Sequence, residues 1–177
     1  MDMIKHIIVI LLISVLTAEV SVFGSSDAVK YERAQSLMAE EEYADAAKIF
    51  DELSSYEESA KLAMYCKAAA AGEDGDYKTA ISIFETLGDF KDSSLMATYY
   101  SANALEDCVG EDWRYGIQAA ELFDDIAFFR NSKIKAESIR KALYDRAVTL
   151  DNWGERAEAE RMLNALGDYA DNAILSE

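Results

Sequence analysis

Apolar residues recur along this chain on two interleaved schedules. Ala46 and Phe50, Ala80 and Phe84, Ala119 and Phe123, and Ala159 and Leu163 each stand four residues apart. That spacing stacks both members of a pair on one helical face. Three residues further come Leu53, Leu87, Ile126 and Leu166, and three beyond those an aromatic ring: Tyr56, Phe90, Phe129 and Tyr169. A second pattern precedes each group. Tyr31, Tyr65 and Tyr99 lie 34 residues apart, followed three later by Ala34, Ala68 and Ala102 and six later by Leu37, Ala71 and Leu105. Tyr144, Ala147 and Leu150 make a fourth copy. Each unit therefore reads as two amphipathic helices, and the repeat predicts units over about 27–56, 57–90, 91–129 and 130–169 with a short C-terminal cap over 170–177.

The punctuation fits. Gly75-Asp76-Tyr77 is placed to turn the first helix of the second unit into its second, and Leu87-Gly88-Asp89-Phe90-Lys91-Asp92-Ser93 to pass to the next unit. Glycine permits the left-handed end of a helix, and Asp or Ser accepts free amide hydrogen bonds at the start of the next. The same joint echoes in Leu166-Gly167-Asp168-Tyr169. There is no proline and only 8 glycines, while long stretches consist of good helix formers, so the fold class is all-α. Two irregularities interrupt the period. From Tyr99 to Ala119 is 20 residues where Tyr31 to Ala46 is 15, and from Phe129 to Tyr144 is 15 where Phe90 to Tyr99 is 9. The five extra residues, around Cys108 to Gly116, should lengthen a turn; the six around Asn131 to Ile139 should extend a helix.

A 34-residue period, a small residue in the first helix, Gly-Asp-Tyr at the turn and Ala-x-x-x-Phe in the second helix together resemble the tetratricopeptide repeat family over about residues 27–177. The usual proline near the end of each unit is replaced by aromatic-x-Asp-Ser, and the first-helix aromatic sits one residue late. The resemblance implies an alpha-alpha superhelix of four helix-turn-helix units. It also implies a bacterial chain that binds a polypeptide on its concave face. First helices line that face in the family, so Tyr31, Tyr65, Tyr99 and Tyr144 would form an aromatic ladder, with Gln35, Tyr100 and Asn103 beside it. Family members that hold a chaperone's C-terminal carboxylate use Lys and Asn on the first unit, Asn on the second, and Lys and Arg on the third; the corresponding positions here are Tyr31, Gln35, Cys66, Met96 and Tyr100, none of them a cation, so that clamp is absent. The same ladder could instead be core, wedged between helices.

Charge and the N-terminus narrow the setting. The formal net charge is −17, from 17 basic and 34 acidic residues, which makes nucleic acid and anionic membranes poor partners and steers a basic polypeptide favourably. Lys5 followed by an apolar run from Ile7 to Ile13 that continues to Leu16, then small residues near Gly24, reads as a signal peptide over 1–24, with a retained N-terminal anchor as the alternative. The mature domain, 25–177, would act outside the cytoplasm with no membrane insertion of its own. Without Asp2, Lys5 and Glu19 it keeps 16 basic and 32 acidic residues.

Candidate chemistry is sparse. The one histidine, His6, falls in the signal segment, which removes histidine-dependent nucleophiles and histidine zinc sites from the mature chain. The acidic clusters Glu40-Glu41-Glu42 and Glu73-Asp74-Asp76 sit at turns and lack the order of a calcium loop. No cofactor, metal or catalytic residue is expected. Cys66 corresponds to Tyr100 of the next unit, and Cys108 lies eight residues beyond, about 12 Å along a parallel helix, so both should be free thiols. The function that remains is a non-enzymatic scaffold for a protein or peptide. The alternative is a structural module that self-associates through its C-terminal end.

Overall fold

The computed structural model describes residues 26–174. The expected signal segment and residues 175–177 of the expected cap lie outside the described residues. Among those described, every regular element is a helix: α1 over 26–39, α2 Tyr43–Leu53, α3 Ser59–Glu73, α4 Tyr77–Leu87, α5 Ser93–Asp107, α6 Arg114–Asp125, α7 Ser132–Asn152, α8 Arg156–Leu166 and α9 Asp168–Ile174. The all-α expectation is met, with eight principal helices and one short addition. The helices from α4 to α9 pack each on the next in the manner of a helical repeat. The chain divides into two compact units, one ending at Ala70 and the other beginning at Ala71.

In the first unit Tyr31 of α1 sets its ring edge-on against Phe50 of α2 and against Tyr56, both at 5.6 Å between centroids. Ala34, Ala46, Ala47 and Phe50 are buried between them. In the second unit Ala80, Phe84, Ala102, Ala119, Phe123, Ala136 and Ala147 are sealed from solvent. Small residues let the helix axes close, and the rings fill what remains.

The joints between pairs repeat in atomic detail. Tyr56, Phe90 and Phe129 donate backbone N–H bonds to the carbonyls of Leu53, Leu87 and Ile126, at 2.9, 3.1 and 2.8 Å. Three residues on, Ser59, Ser93 and Ser132 donate backbone N–H bonds to Tyr56, Phe90 and Phe129, at 3.0, 3.1 and 3.2 Å. Between ring and serine the chain turns through left-handed backbone at Glu57, Lys91 and Arg130, where φ is 49, 53 and 48°. All three serines are fully buried, which only a small side chain allows. One detail differs from expectation. At the turn from α3 to α4 the Asp76 carboxylate does accept the Thr79 amide, at 3.2 Å, and the Thr79 side chain together with that amide holds its pKa below the usual carboxylate value. At the head of α5, however, Asp92 makes no capping bond. There Ser93 is a donor instead, its Oγ giving a 2.6 Å bond to the Phe90 carbonyl.

Both irregularities land where the spacing puts them. The turn between α3 and α4 spans residues 74–76, whereas that between α5 and α6 spans 108–113. The other two of the five extra residues lengthen the start of α6, because Ala119 is its sixth residue and Ala80 the fourth of α4. Helix α7 has 21 residues against 15 in α3 and α5, which accounts for all six of the second insertion.

Two measurements check this packing. A Cβ built on Gly72 would stand 2.3 Å from Cζ of Tyr100, so helix α3 can meet that ring only through a glycine. Glycine to alanine within a helix ordinarily stabilises by up to about 1 kcal/mol. Here Gly72→Ala should instead cost about 1–3 kcal/mol in denaturant unfolding, because a ring must be displaced. Cys66 is fully buried and Cys108 partly exposed, and neither is in a disulfide. A thiol reagent should therefore modify Cys108 quickly in the folded protein and reach Cys66 only on denaturation, without reductant.

Candidate functional site

The structure brings the expected ladder residues into the helix packing. Tyr65, Tyr99, Tyr100 and Tyr144 are each at most 9% exposed, and Asn103 is 7% exposed. Tyr31 is half-buried against Phe50 and Tyr56, and Gln35 beside it is exposed. Burial pushes the Tyr31 hydroxyl's pKa up, with Glu57 and Glu58 adding to the effect. Of the seven candidates, only Gln35 offers an open side chain. The other rings lie where a peptide would have to displace core to reach them.

The hydroxyls and amide are occupied too. Tyr99 meets Tyr100, Phe123 and Phe129 edge-on at 5.6, 5.8 and 6.2 Å, and its hydroxyl donates to Asn131 Oδ1 at 2.9 Å. The Arg130 guanidinium lies over the Tyr99 ring at 5.3 Å and bonds Glu73 Oε1 at 3.1 Å, the same oxygen that accepts the Tyr100 hydroxyl. Asn103 Nδ2 donates to the Tyr99 carbonyl one turn back, at 2.8 Å. These bonds satisfy buried polar atoms and fix ring positions, which is a packing role.

Among the described residues, the second unit carries a trough between the end of α5 and the middle of α7. Its volume is about 260 Å³, and it is lined by Glu106, Val109, Ser138, Ile139, Ala142, Leu143 and Arg146. The five α7 residues follow helical spacing and so share one face. Ile139 and Leu143 are buried and form an apolar floor, while Ser138, Ala142 and Arg146 are exposed along its edge. Gly116 of α6 lies behind: a Cβ there would meet Leu143, Val109 and Ile139 at 3.1–3.4 Å. Glu106 is neutralised by Lys135 at 2.5 Å, so the charge left at the trough is that of Arg146. Val109 lies in the lengthened turn, and the α7 residues belong to the helix that carries the six-residue insertion. Both departures from the repeat therefore border one trough.

Sequence reasoning located both insertions but not this meeting of them. It also passed over Phe128, which is 80% exposed where the other joints place Ser55, Asp89 and Asp168. Among the described residues no cluster of His, Cys, Asp and Glu is arranged to hold a metal ion, and no helix is long and apolar enough to cross a membrane. The chain matches no family model, no curated protein and no solved structure.

Tyr99 separates packing from recognition. Removing its ring in Tyr99→Ala should lower unfolding free energy by about 3–5 kcal/mol, the usual cost of emptying an aromatic core site. Tyr99→Phe, which loses only the bond to Asn131, should cost about 0.5–1.5 kcal/mol. Thermal or urea melts of the two variants give both figures.

Proposed function

We propose that this chain is an exported bacterial polypeptide-binding scaffold built of four tetratricopeptide-like helix pairs, and that the α5–α7 trough is where it grips its partner. The observation that carries the reading is the apolar lining of the trough, where half-buried Val109 and exposed Ala142 stand over the buried Ile139 and Leu143, bordered by both irregular segments. A stack of helix pairs needs its repeat to hold together, so residues that break the period without weakening the core are free to serve a partner. An apolar floor with a few charged groups at its rim suits side chains of a peptide, which gains area from the floor and orientation from the rim. The 34-residue register, the repeated aromatic-x-acid-serine joint and the Gly-Asp-Tyr turn support the family resemblance. The N-terminal apolar run supports export.

Net charge shapes the encounter rather than the grip. A chain at −17 draws in a partner with exposed basic residues, chiefly by raising the association rate. The trough then selects among what arrives.

Panning a displayed random-peptide library on the folded chain tests this directly. Ala142 lines the trough and is exposed, so Ala142→Trp should fill it without disturbing the core. Peptides enriched on the parent chain should lose at least about tenfold in affinity for that variant, a difference of about 1.4 kcal/mol. Enriched peptides that bind both chains equally would place recognition elsewhere, and a library that yields none would remove the scaffold reading.

A further inference from the structure

Six arginines follow Ala71. Arg114, Arg130, Arg140 and Arg156 hold Asp112, Glu73, Asp124 and Asp151 at 3.0, 3.1, 2.5 and 3.5 Å, and Arg161 holds Glu158. Arg146 alone among them has no carboxylate within reach among the described residues. Its isolation is written in the helix: the residues three and four positions away are Ala142, Leu143, Thr149 and Leu150, none of them acidic. Acids outnumber bases by 34 to 17 in this chain, so an arginine free of them is the exception. This one stands at the edge of the trough with the apolar floor beside it.

Resting on the scaffold reading above, we infer that the trough takes an extended segment of a partner polypeptide, with an aliphatic side chain on the floor. Two residues along, an aspartate or glutamate of that segment pairs with Arg146. The spacing follows from helix and strand geometry. From midway between Ile139 and Leu143 to Arg146 is five residues of α7, about 7.5 Å at a helical rise of 1.5 Å per residue. Alternate side chains of an extended strand project to one side about 6.6–6.8 Å apart. An aliphatic group over the floor therefore brings the second side chain after it level with the guanidinium. Arg146 stands on the exposed edge of the trough, where a side-chain carboxylate of a passing segment can reach it. Guanidinium and carboxylate match as a two-pronged pair, and the apolar floor on one side reduces the solvent that would screen it. The rival negative group, Glu106, is already bound by Lys135.

The test uses a blocked peptide with basic flanks, acetyl-Lys-Ser-Leu-Ser-Glu-Ser-Lys-amide, its Glu→Gln counterpart, and the full chain at physiological ionic strength, with amide shifts and affinity read by NMR titration. The Glu peptide should perturb Val109, Ile139 and Leu143. Its affinity should fall roughly three- to tenfold on changing its Glu to Gln, and equally on Arg146→Gln in the protein. The two losses together should be no larger than either alone, the mark of a direct pair. Arg146→Gln should leave the melting temperature unchanged, because no carboxylate partner among the described residues is lost. If both peptides bind equally to parent and Arg146→Gln, and Ala142→Trp removes both, the scaffold reading survives and the carboxylate pairing is wrong. If neither peptide perturbs the trough, the pairing and the trough as binding site fall together.

Discussion

Close approach of helices across an alanine is the constraint on which each pair depends. Ala34, Ala46, Ala68, Ala80, Ala102, Ala119, Ala147 and Ala159 occupy equivalent places, and none is more than 1% exposed. A larger residue there would hold the axes apart and strand the ring that follows, since interaxial distance is set by the side chains at the contact. Phe50, Phe84 and Phe123 take the space so created and are fully buried. The same position in α8 is Leu163, which is only half-buried. The joints serve the same constraint: a buried serine at the head of α3, α5 and α7 keeps the chain thin where it turns back against its neighbour.

Where the repeat is interrupted, the alanine contacts are kept and the extra residues are pushed to the margins. The insertion before α6 is divided between a longer turn and the helix start, and α7 takes up six residues within one continuous helix. Six residues are not a whole number of turns, so they rotate the start of α7 by about two-thirds of a turn relative to α5. The faces that coincide in regular units cannot coincide over the whole of this longer helix. The trough beside Ile139 and Leu143 lies along that stretch, with Gly116 and Val109 filling its back. The trough thus lies where the two irregular segments meet.

Much of this was legible because period and local chemistry agree. Gly75, Gly88 and Gly167, all at positive φ, mark helix ends that the sequence places within a residue or two, and the two insertions were assignable by subtraction. The side on which a tyrosine faces was not legible. Tyr65, Tyr99 and Tyr144 share a helical position, but the 34-residue spacing is the same whether that position meets a groove or a neighbouring helix. The deciding facts are long-range: Gly72 opens a slot for Tyr100, and Asn131, 32 residues away, takes the Tyr99 hydroxyl. Nothing in the local pattern of α5 announces either. Similarly, Trp113 reads as a turn residue, yet its Nε1 donates to Glu158 at 2.5 Å from 45 residues away and the ring is buried.

The charges follow a division of labour of the same kind. Residues 128–141 carry five cations and one acid in an otherwise acidic chain, which on sequence alone looks like a basic patch for an anionic partner. Four of the five are engaged internally: Arg130 with Glu73, Lys135 with Glu106, Arg140 with Asp124 and Lys141 with Asp145. Each half-exposed pair adds little stability by itself, about 0–1 kcal/mol. Their effect is positional, because three of them reach from the extended start of α7 or its joint to α3, α5 and α6. A helix lengthened by most of two turns could slide or rotate against apolar neighbours that specify area but not direction. Fixed charges at separate heights oppose such a slip, since moving one pair out of register leaves like charges closer and polar groups unpaired. The surplus carboxylates then find their cations within the insertion, at Lys135, and on either side of it, at Arg130 and Arg140, and the segment that breaks the repeat is held in place by them.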